Sequence, residues 1–510
     1  MTSDESMAGA GPEQRWRRQA LLLAALLPFL VLALLNLRAP IDLSLGDQAQ
    51  YVLHARSILA GRAYTDDGYI YTSRVVISPQ AYPPGLPLVI AGAEGVGAPL
   101  IVLRLLMIAS AVLFLYVAGR YLAMLDDPLL GPASILMCAF IPNLALYATG
   151  LYSDFGFAAA AWGCCLLADR PGEWSRGRIA ALTALGAVAI AFRTAGVALI
   201  PALVVHQAWR TWRYKEPWTR ASVPLLVWIG TYFATDILLP VTQGYAQQIA
   251  TGATHAAPRA GMLALIELLP RRAVGYRGIV SAMQLTPTRW PLANAAYHAA
   301  AFGALAIGVI VWVRRAGVRF LFCFTVFYVG VVLLLPWAIA RFIWPLAPVI
   351  WFATLDGART VFQAVKIDRV RATRTAALLA ASVAIAALVL GPKPPPLKGM
   401  GDLPEGRALY AALAHEAAST PVRAMTSNPR GVALLRGVSA MSIPRMAPDP
   451  LLAEADSFRI THAVLGSVSD DSSGNKVLRS ALAKYPERFQ RVYGNEKFTL
   501  YKLVPAPTRQ

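Results

Sequence analysis

Three ionisable side chains stand where the sequence makes chemistry possible: Asp47, Arg193 and Arg341. Asp47 lies in Leu45-Gly46-Asp47-Gln48-Ala49-Gln50-Tyr51, a few residues past the end of the first apolar run. A carboxylate there can cap the helix that starts at this point or take a proton from a hydroxyl, and the two roles are compatible. Arg193, in Phe192-Arg193-Thr194-Ala195-Gly196, and Arg341, in Ala340-Arg341-Phe342-Ile343-Trp344-Pro345-Leu346-Ala347-Pro348, each interrupt an apolar stretch. Ionised groups at membrane depth are costly and tend to line sites, and the guanidinium fork fits phosphate oxygens while staying protonated. Either arginine could instead reach out to lipid headgroups. Asp154, in Tyr152-Ser153-Asp154, can cap a helix, pair with Arg193 or contact a substrate.

The elements that must position these groups follow from composition. Hydrophobic residues are 56% of the 510 and charged residues 15%, with a mean hydropathy of +0.50. A water-soluble surface cannot be built over most of such a chain, and the same apolar content excludes disorder and fibrous repeats. The expected fold class is an α-helical polytopic membrane protein. The net charge of +19 would suggest nucleic acid in a soluble protein. Here basic residues collecting in cytoplasmic loops explain it better. Cys138, Cys164, Cys165 and Cys323 all lie in apolar runs and read as small packing residues.

Arg15, Arg17 and Arg18 precede the apolar run Ala20–Leu37, which leads into Asn36-Leu37-Arg38 rather than a cleavage site. It reads as a retained first helix with its N-terminus in the cytoplasm. Further apolar segments fall near 99–122, 129–149, 154–169, 179–192, 194–209, 222–240, 293–313, 320–337, 342–358 and 375–391. Splitting 179–209 at Arg193 and 320–356 at Arg341 keeps the flanking basic loops in one compartment. About eleven crossings result. Gly85–Gly97 is too short to cross and is expected to be re-entrant or interface-lying within the first external loop.

The expected domains are 1–392, a transmembrane domain with external loops 39–98 and 241–292, and 393–510. The latter, after the breaker run Pro392-Lys393-Pro394-Pro395-Pro396, reads as a small extracytoplasmic α/β domain, with helices expected over 409–418 and 476–485 and strands over 461–466 and 498–503. Within the first loop, Tyr51, Val52, Ala55, Ile58 and Leu59 recur at helical spacing, which predicts an amphipathic helix on the membrane surface. His54 on that helix is read as a surface residue, and Asp66 and Asp67 beside Gly68 as a solvated turn. The tyrosines Tyr51, Tyr64, Tyr69, Tyr71 and Tyr82 could form a sugar platform or mark the interface. Arg259, Arg271, Arg272, Arg277 and Arg289 make the second external loop basic, suited to an anionic lipid or to a plain juxtamembrane surface. His255 has no partner at metal spacing, so no metal or other cofactor is supported.

Taken together, Gly-Asp-Gln-x-x-Tyr-x-x-x-Ala-x-x-Ile-Leu-x-Gly from Gly46 to Gly61, the Tyr82-Pro83-Pro84-Gly85-Leu86-Pro87-Leu88 run and the Arg193, Arg341 and Asp154 segments resemble the C-type membrane glycosyltransferases. Nearest in kind is the protein O-mannosyltransferase and lipid A aminoarabinose transferase branch. The resemblance covers essentially the whole chain. It implies transfer of a sugar from a polyprenyl-phosphate donor to an acceptor on the outer face of the membrane, usually with inversion. It matches Asp47 to the loop carboxylate that serves as general base, where the family commonly has Asp-Glu and this chain has Asp47-Gln48. Inverting transfer needs a base for the acceptor hydroxyl and positive charge for the departing phosphate. On this reading Arg341 and Arg193 hold the donor phosphate, and Asp154, Tyr82, Arg74 and His54 are further candidates for substrate contact. The expected location is a bacterial inner membrane, with membrane lipids as surroundings and no nucleic-acid partner. A transporter or flippase of this size would show paired inverted repeats, and the sequence shows none. A non-catalytic relative with an assembly role would keep the same fold.

Overall fold

In the computed structural model the described residues are 12–39, 41–44, 46–72, 82–125, 128–237, 270, 272–280, 285, 287–316, 319–335, 339–390, 399–466 and 473–505. They form two compact units. The first takes the described residues of Met1–Ala39, Leu100–Leu238 and Gly252–Pro394, and the second those of Pro40–Pro99 and Pro395–Gln510.

The first unit is helical. Its principal helices are Pro12–Asn36, Leu100–Leu125, Asp154–Asp169, Arg176–Phe192, Leu199–Tyr214, Thr219–Ile237, Pro291–Ala316, Phe320–Leu334, Ala347–Ala364 and Arg369–Val389. Among the described residues four spans, Trp16–Asn36, Leu100–Leu125, Pro291–Arg315 and Arg369–Val389, are long and apolar enough to cross a membrane. Large apolar side chains such as Leu23, Leu27, Leu378 and Val389 point outward from them, the pattern a lipid-facing surface demands. The apolar segment expected over 129–149 is not one helix. It breaks after Leu130–Ala139, passes Asn143 in a left-handed conformation (φ 66°) and resumes only for Leu144–Tyr147.

Buried polar groups decide where these helices begin and end. Arg104 donates to the carbonyls of Asn36 and Leu37 at 3.2 and 3.0 Å, and to that of Thr149 at 3.1 Å. It thereby serves the last carbonyls of the first helix, of which that of Asn36 also takes the Ala39 N–H at 3.2 Å. Asp169 accepts from the backbone N–H of Phe320 and Leu321 at 2.7 and 3.1 Å and from the Tyr121 hydroxyl, and so starts the helix Phe320–Leu334. Helices Pro291–Ala316 and Ala347–Ala364 approach through small residues. A Cβ on Gly308 would strike the Ala353 carbonyl, and one on Gly357 the Ala304 carbonyl.

The second unit is α/β, built on a six-stranded sheet ordered β1-β3-β2-β4-β6-β5. Its strands are β1 Tyr69–Ile70, β2 Val422–Thr426, β3 Val438–Ser442, β4 His462–Leu465, β5 Phe489–Gly494 and β6 Thr499–Leu503. β1, β3, β2 and β4 run parallel, while β6 pairs antiparallel with β4 and β5. The helices Pro404–Ser419 and Ser473–Lys484 and the strands β4 and β6 fall where the sequence predicts a helix over 409–418, a helix over 476–485 and strands over 461–466 and 498–503.

One strand comes from elsewhere. β1 belongs to the first loop, and Tyr69 and Ile70 pair with Ala440 and Met441 of β3. The helix Asp47–Leu59 sends Leu53 into the same core as Leu409, Leu413, Val432 and Val438. The sequence assigns the loop 39–98 to the transmembrane domain, whereas the described residues of Pro40–Pro99 belong to the sheet unit. The membrane-surface reading of this helix is also corrected. Gln48 to Ala55 are all buried, because protein and not lipid covers the apolar face.

Candidate functional site

Asp47 opens its helix at the first helical position, and the cap residue before it is Gly46, at φ 57°. A side chain is strained at that angle, so glycine suits the turn. The cap position considered for Asp47 is therefore taken by Gly46, and Asp47 stands one residue inside it. Its Oδ1 instead accepts from the Tyr82 hydroxyl at 2.5 Å and from Arg430 Nη1 at 2.9 Å. Arg430 lies over the Tyr82 ring at 5.1 Å and the Tyr69 ring at 6.0 Å, a cation held between two aromatic faces. The pair is largely shielded, with side chains 14% and 12% exposed, so each charge depends on the other.

Local sequence explains how Arg430 gets there. β2 ends at Thr426, and Asn428-Pro429 starts the short helix Pro429–Ala433 with proline at its first position. Asn428 Nδ2 donates to the Ser44 carbonyl at 3.3 Å, and Gly431 lies so close to Ser44 that a Cβ would come within 2.7 Å of its Cβ. The turn after a parallel strand is thus docked against the residues leading into Asp47. Sequence reasoning missed Arg430. The available signal was a polar turn, Ser427-Asn428-Pro429-Arg430-Gly431, at the carboxyl end of a parallel strand, where α/β sheets gather functional groups.

Beneath Asp47 runs a buried polar chain. Gln50 Nε2 donates to Asp67 Oδ2 and lies 3.1 Å from His54 Nε2, which can only accept. That assigns the His54 proton to Nδ1, 2.8 Å from the Tyr64 carbonyl that accepts it. The His54 ring stacks on Tyr64 at 4.0 Å, and the Tyr64 hydroxyl donates to the Tyr82 carbonyl at 2.8 Å. His54 is therefore buried and not a surface residue, because the Tyr64 loop closes over its helix. Asp67 likewise leaves the solvated turn expected of it. It is 3% exposed and takes the Tyr69 N–H at 2.9 Å, while Asp66 stays exposed. Burial pushes the Asp67 carboxyl up to about 7, against the lowering effect of the bonds from Tyr69 and Gln50.

The helical unit holds a separate cluster. The helix Arg176–Phe192 stops at Arg193, which is extended (φ −149°, ψ 134°), and the turn Thr194–Ala198 folds back so that Gly196 abuts Ala189. Arg193 pairs with Asp154 at the first position of the helix Asp154–Asp169. Gly156 admits this approach, since a Cβ there would lie 2.5 Å from the Phe192 ring. Arg193 also lies 4.9 Å from the Phe342 ring centre, and Arg341 lies 5.7 Å from the same ring and 5.2 Å from Tyr152. Arg341 sits between Leu334 and Ala347, where short 3-10 turns at Ala340–Phe342 and Trp344–Leu346 replace regular helix. Trp344 packs edge-on to Tyr147 and stacks on Phe155. Two guanidiniums thus share one aromatic ring, in a stretch where backbone irregularity is tolerated only if protein or a cavity lines it.

Of the candidates read from the sequence, Asp47, Tyr82 and His54 belong to the first of these clusters, and Arg193, Arg341 and Asp154 to the second. Arg74 and His255 lie outside the described residues, as does most of the loop 241–292, Arg259 and Arg271 included. Among the described residues no three His, Cys, Asp or Glu side chains come together as a metal-holding set. All four cysteines are buried and unbonded.

No protein-family model matches the chain, and no curated protein matches it in sequence. Its structure is similar to that of the archaeal oligosaccharyltransferase AglB from Archaeoglobus fulgidus, solved in complex with an inhibitory peptide and a dolichol-phosphate. The TM-score is 0.57 and the identity 12%, over 98% of this chain and 76% of that one. A second structure of the A. fulgidus oligosaccharyltransferase, tethered to an acceptor peptide containing the NVT sequon, gives a TM-score of 0.51 at 13% identity, over 97% and 75% of the two chains. ArnT from Cupriavidus metallidurans in the apo state aligns over 97% of this chain and 99% of its own, at 14% identity and a TM-score of 0.49. The shielded loop carboxylate and the arginines at broken helix ends accordingly sit on a fold similar to that of the A. fulgidus oligosaccharyltransferase.

Proposed function

We propose that this chain is an integral-membrane glycosyltransferase that moves a sugar from a polyprenyl-phosphate donor to an extracytoplasmic acceptor, with inversion. Asp47 takes the proton from the acceptor hydroxyl as the anomeric carbon becomes oxocarbenium-like. Such a transition state acidifies the attacking hydroxyl late, so a carboxylate is an adequate base for it. Arg430 and the Tyr82 hydroxyl fix its orientation. Arg341 and Arg193 hold the donor phosphate and stabilise it as it leaves. Asp154 sets the angle of Arg193 through their ion pair. The topology proposed with this function has eleven crossings, a cytoplasmic N-terminus and an extracytoplasmic sheet unit, in a bacterial inner membrane.

The observation that carries the proposal is Asp47, a shielded carboxylate at a helix start, oriented by a tyrosine and an arginine. The lipid-phosphate donor is supported by the dolichol-phosphate in the AglB complex. The test is release of sugar from a synthetic polyprenyl-phosphate sugar by the purified chain in liposomes. Release supports an enzyme. Movement of the intact lipid across the bilayer without release would mark a flippase instead.

A further inference from the structure

The sheet unit contains a cavity that the proposed reaction does not use. Past Gly61 (φ 62°) the chain leaves the helix Asp47–Leu59 and turns through 62–68 into β1. Opposite it, residues 434–437 turn at Gly437 (φ 75°) into β3. Between these turns lies a space of about 570 Å³, within the range of roughly 300–1,000 Å³ that small ligands occupy. Leu53, Ala433 and Val438 give it an apolar floor, and Asp67 is among its lining residues.

Its wall is cationic. Arg56, Arg62 and Arg436 all line it. Arg56 is tethered, with Nη1 donating to the Leu434 carbonyl at 3.0 Å. The Arg62 and Arg436 side chains are exposed and make no hydrogen bond or ion pair with any described residue. Against three guanidiniums stand the exposed Asp66 and the buried Asp67. We infer that this cavity is a binding site for an anionic saccharide, its phosphate or carboxylate taken by the Arg62 and Arg436 forks and a sugar C–H face laid on the apolar floor. A planar fork pairs with either oxyanion through two parallel bonds. The volume exceeds what a lone inorganic anion would fill, and the floor gives a carbohydrate ring a surface that water leaves readily. Asp47, Tyr82 and Arg430 do not line it, so binding here is separable from transfer.

The test is isothermal titration of the full chain in nanodiscs with glucose 1-phosphate, glucuronate and glucose. Saturable binding of either anionic sugar, at least tenfold tighter than glucose, is expected. The two arms tell phosphate from carboxylate. The double variant Arg62→Gln/Arg436→Gln should weaken that binding at least tenfold, while Arg445→Gln, an exposed change elsewhere in the unit, leaves it unchanged. Raising salt from 50 to 500 mM should weaken wild-type binding as well. No saturable binding of either anion, equal binding of glucose, or full binding in the double variant would overturn the inference. Asp47→Asn should bind the anionic sugars normally, so a failure of the catalytic reading and a failure of this one are read separately.

Discussion

The Arg430 guanidinium meets the Asp47 carboxylate at 2.9 Å, across 383 residues of sequence. The contact joins the turn after β2 to the start of the first-loop helix, and two tyrosine rings flank the cation. Replacing Arg430 by Gln leaves a shielded carboxylate with a weaker partner, at a cost of about 1–3 kcal/mol. Transfer should fall at least about tenfold in kcat/KM, equivalent to ~1.4 kcal/mol. Arg430→Lys keeps the charge but not the planar stack, so its loss should lie between wild type and Gln. Steady-state kinetics and thermal unfolding of the two variants check both orders.

Asp67 makes the stability of the sheet unit depend on pH in an unusual sense. Burial raises its carboxyl from 3.8 to about 7, so between those values the folded chain binds a proton that the unfolded chain does not. Stability contributed by Asp67 is therefore full below about pH 4 and declines as pH rises to 7, by on the order of 2–4 kcal/mol. Unfolding midpoints measured from pH 4.5 to 8 should fall with pH in wild type. Asp67→Asn should flatten that slope.

Arg193 and Asp154 form a shielded pair whose halves can be separated experimentally. Arg193→Gln strands a buried carboxylate and should cost roughly 3–5 kcal/mol of stability. The double variant Asp154→Asn/Arg193→Gln removes both charges and should regain most of it. Transfer should stay impaired in both, because the phosphate has lost a cation. Recovery of activity along with stability would make Arg193 purely structural.

Arg341 offers a simpler contrast. If it holds donor phosphate, Arg341→Gln lowers kcat/KM for the donor by about tenfold or more, since charge-assisted bonds contribute about 1.5–3 kcal/mol. A side chain that only reaches for headgroups would leave donor kinetics unchanged. Titrating the lipid donor at fixed acceptor distinguishes the two.

Much of the helical unit was legible because long apolar runs and basic loops are local signals. Arg193 and Arg341 could be placed at helix breaks from the distribution of basic loops alone, and in the structure Arg193 follows a helix end while Arg341 sits in a 3-10 turn between two helices. The tail helices and strands were legible for the same reason. The partnership of first loop and tail was not. β1 is two residues long, too short to leave an alternating pattern. The 3.6-residue period of Tyr51, Val52, Ala55 and Ile58 is the same whether protein or lipid covers it, so the buried helix read as an interfacial one. His54 and Asp67 carry no local mark of burial, since the Tyr64 carbonyl on His54 and the Gln50 amide on Asp67 come from ten and seventeen positions away. Arg430 was hidden by sheer separation in sequence.

The central claim is that Asp47 takes the acceptor proton, and single-turnover sugar transfer by purified, reconstituted Asp47→Asn tests it most directly. With thermal unfolding close to wild type, the account predicts a rate lower by about a hundredfold or more, the range expected for loss of a general base. Transfer by Asp47→Asn within a fewfold of wild type would contradict it.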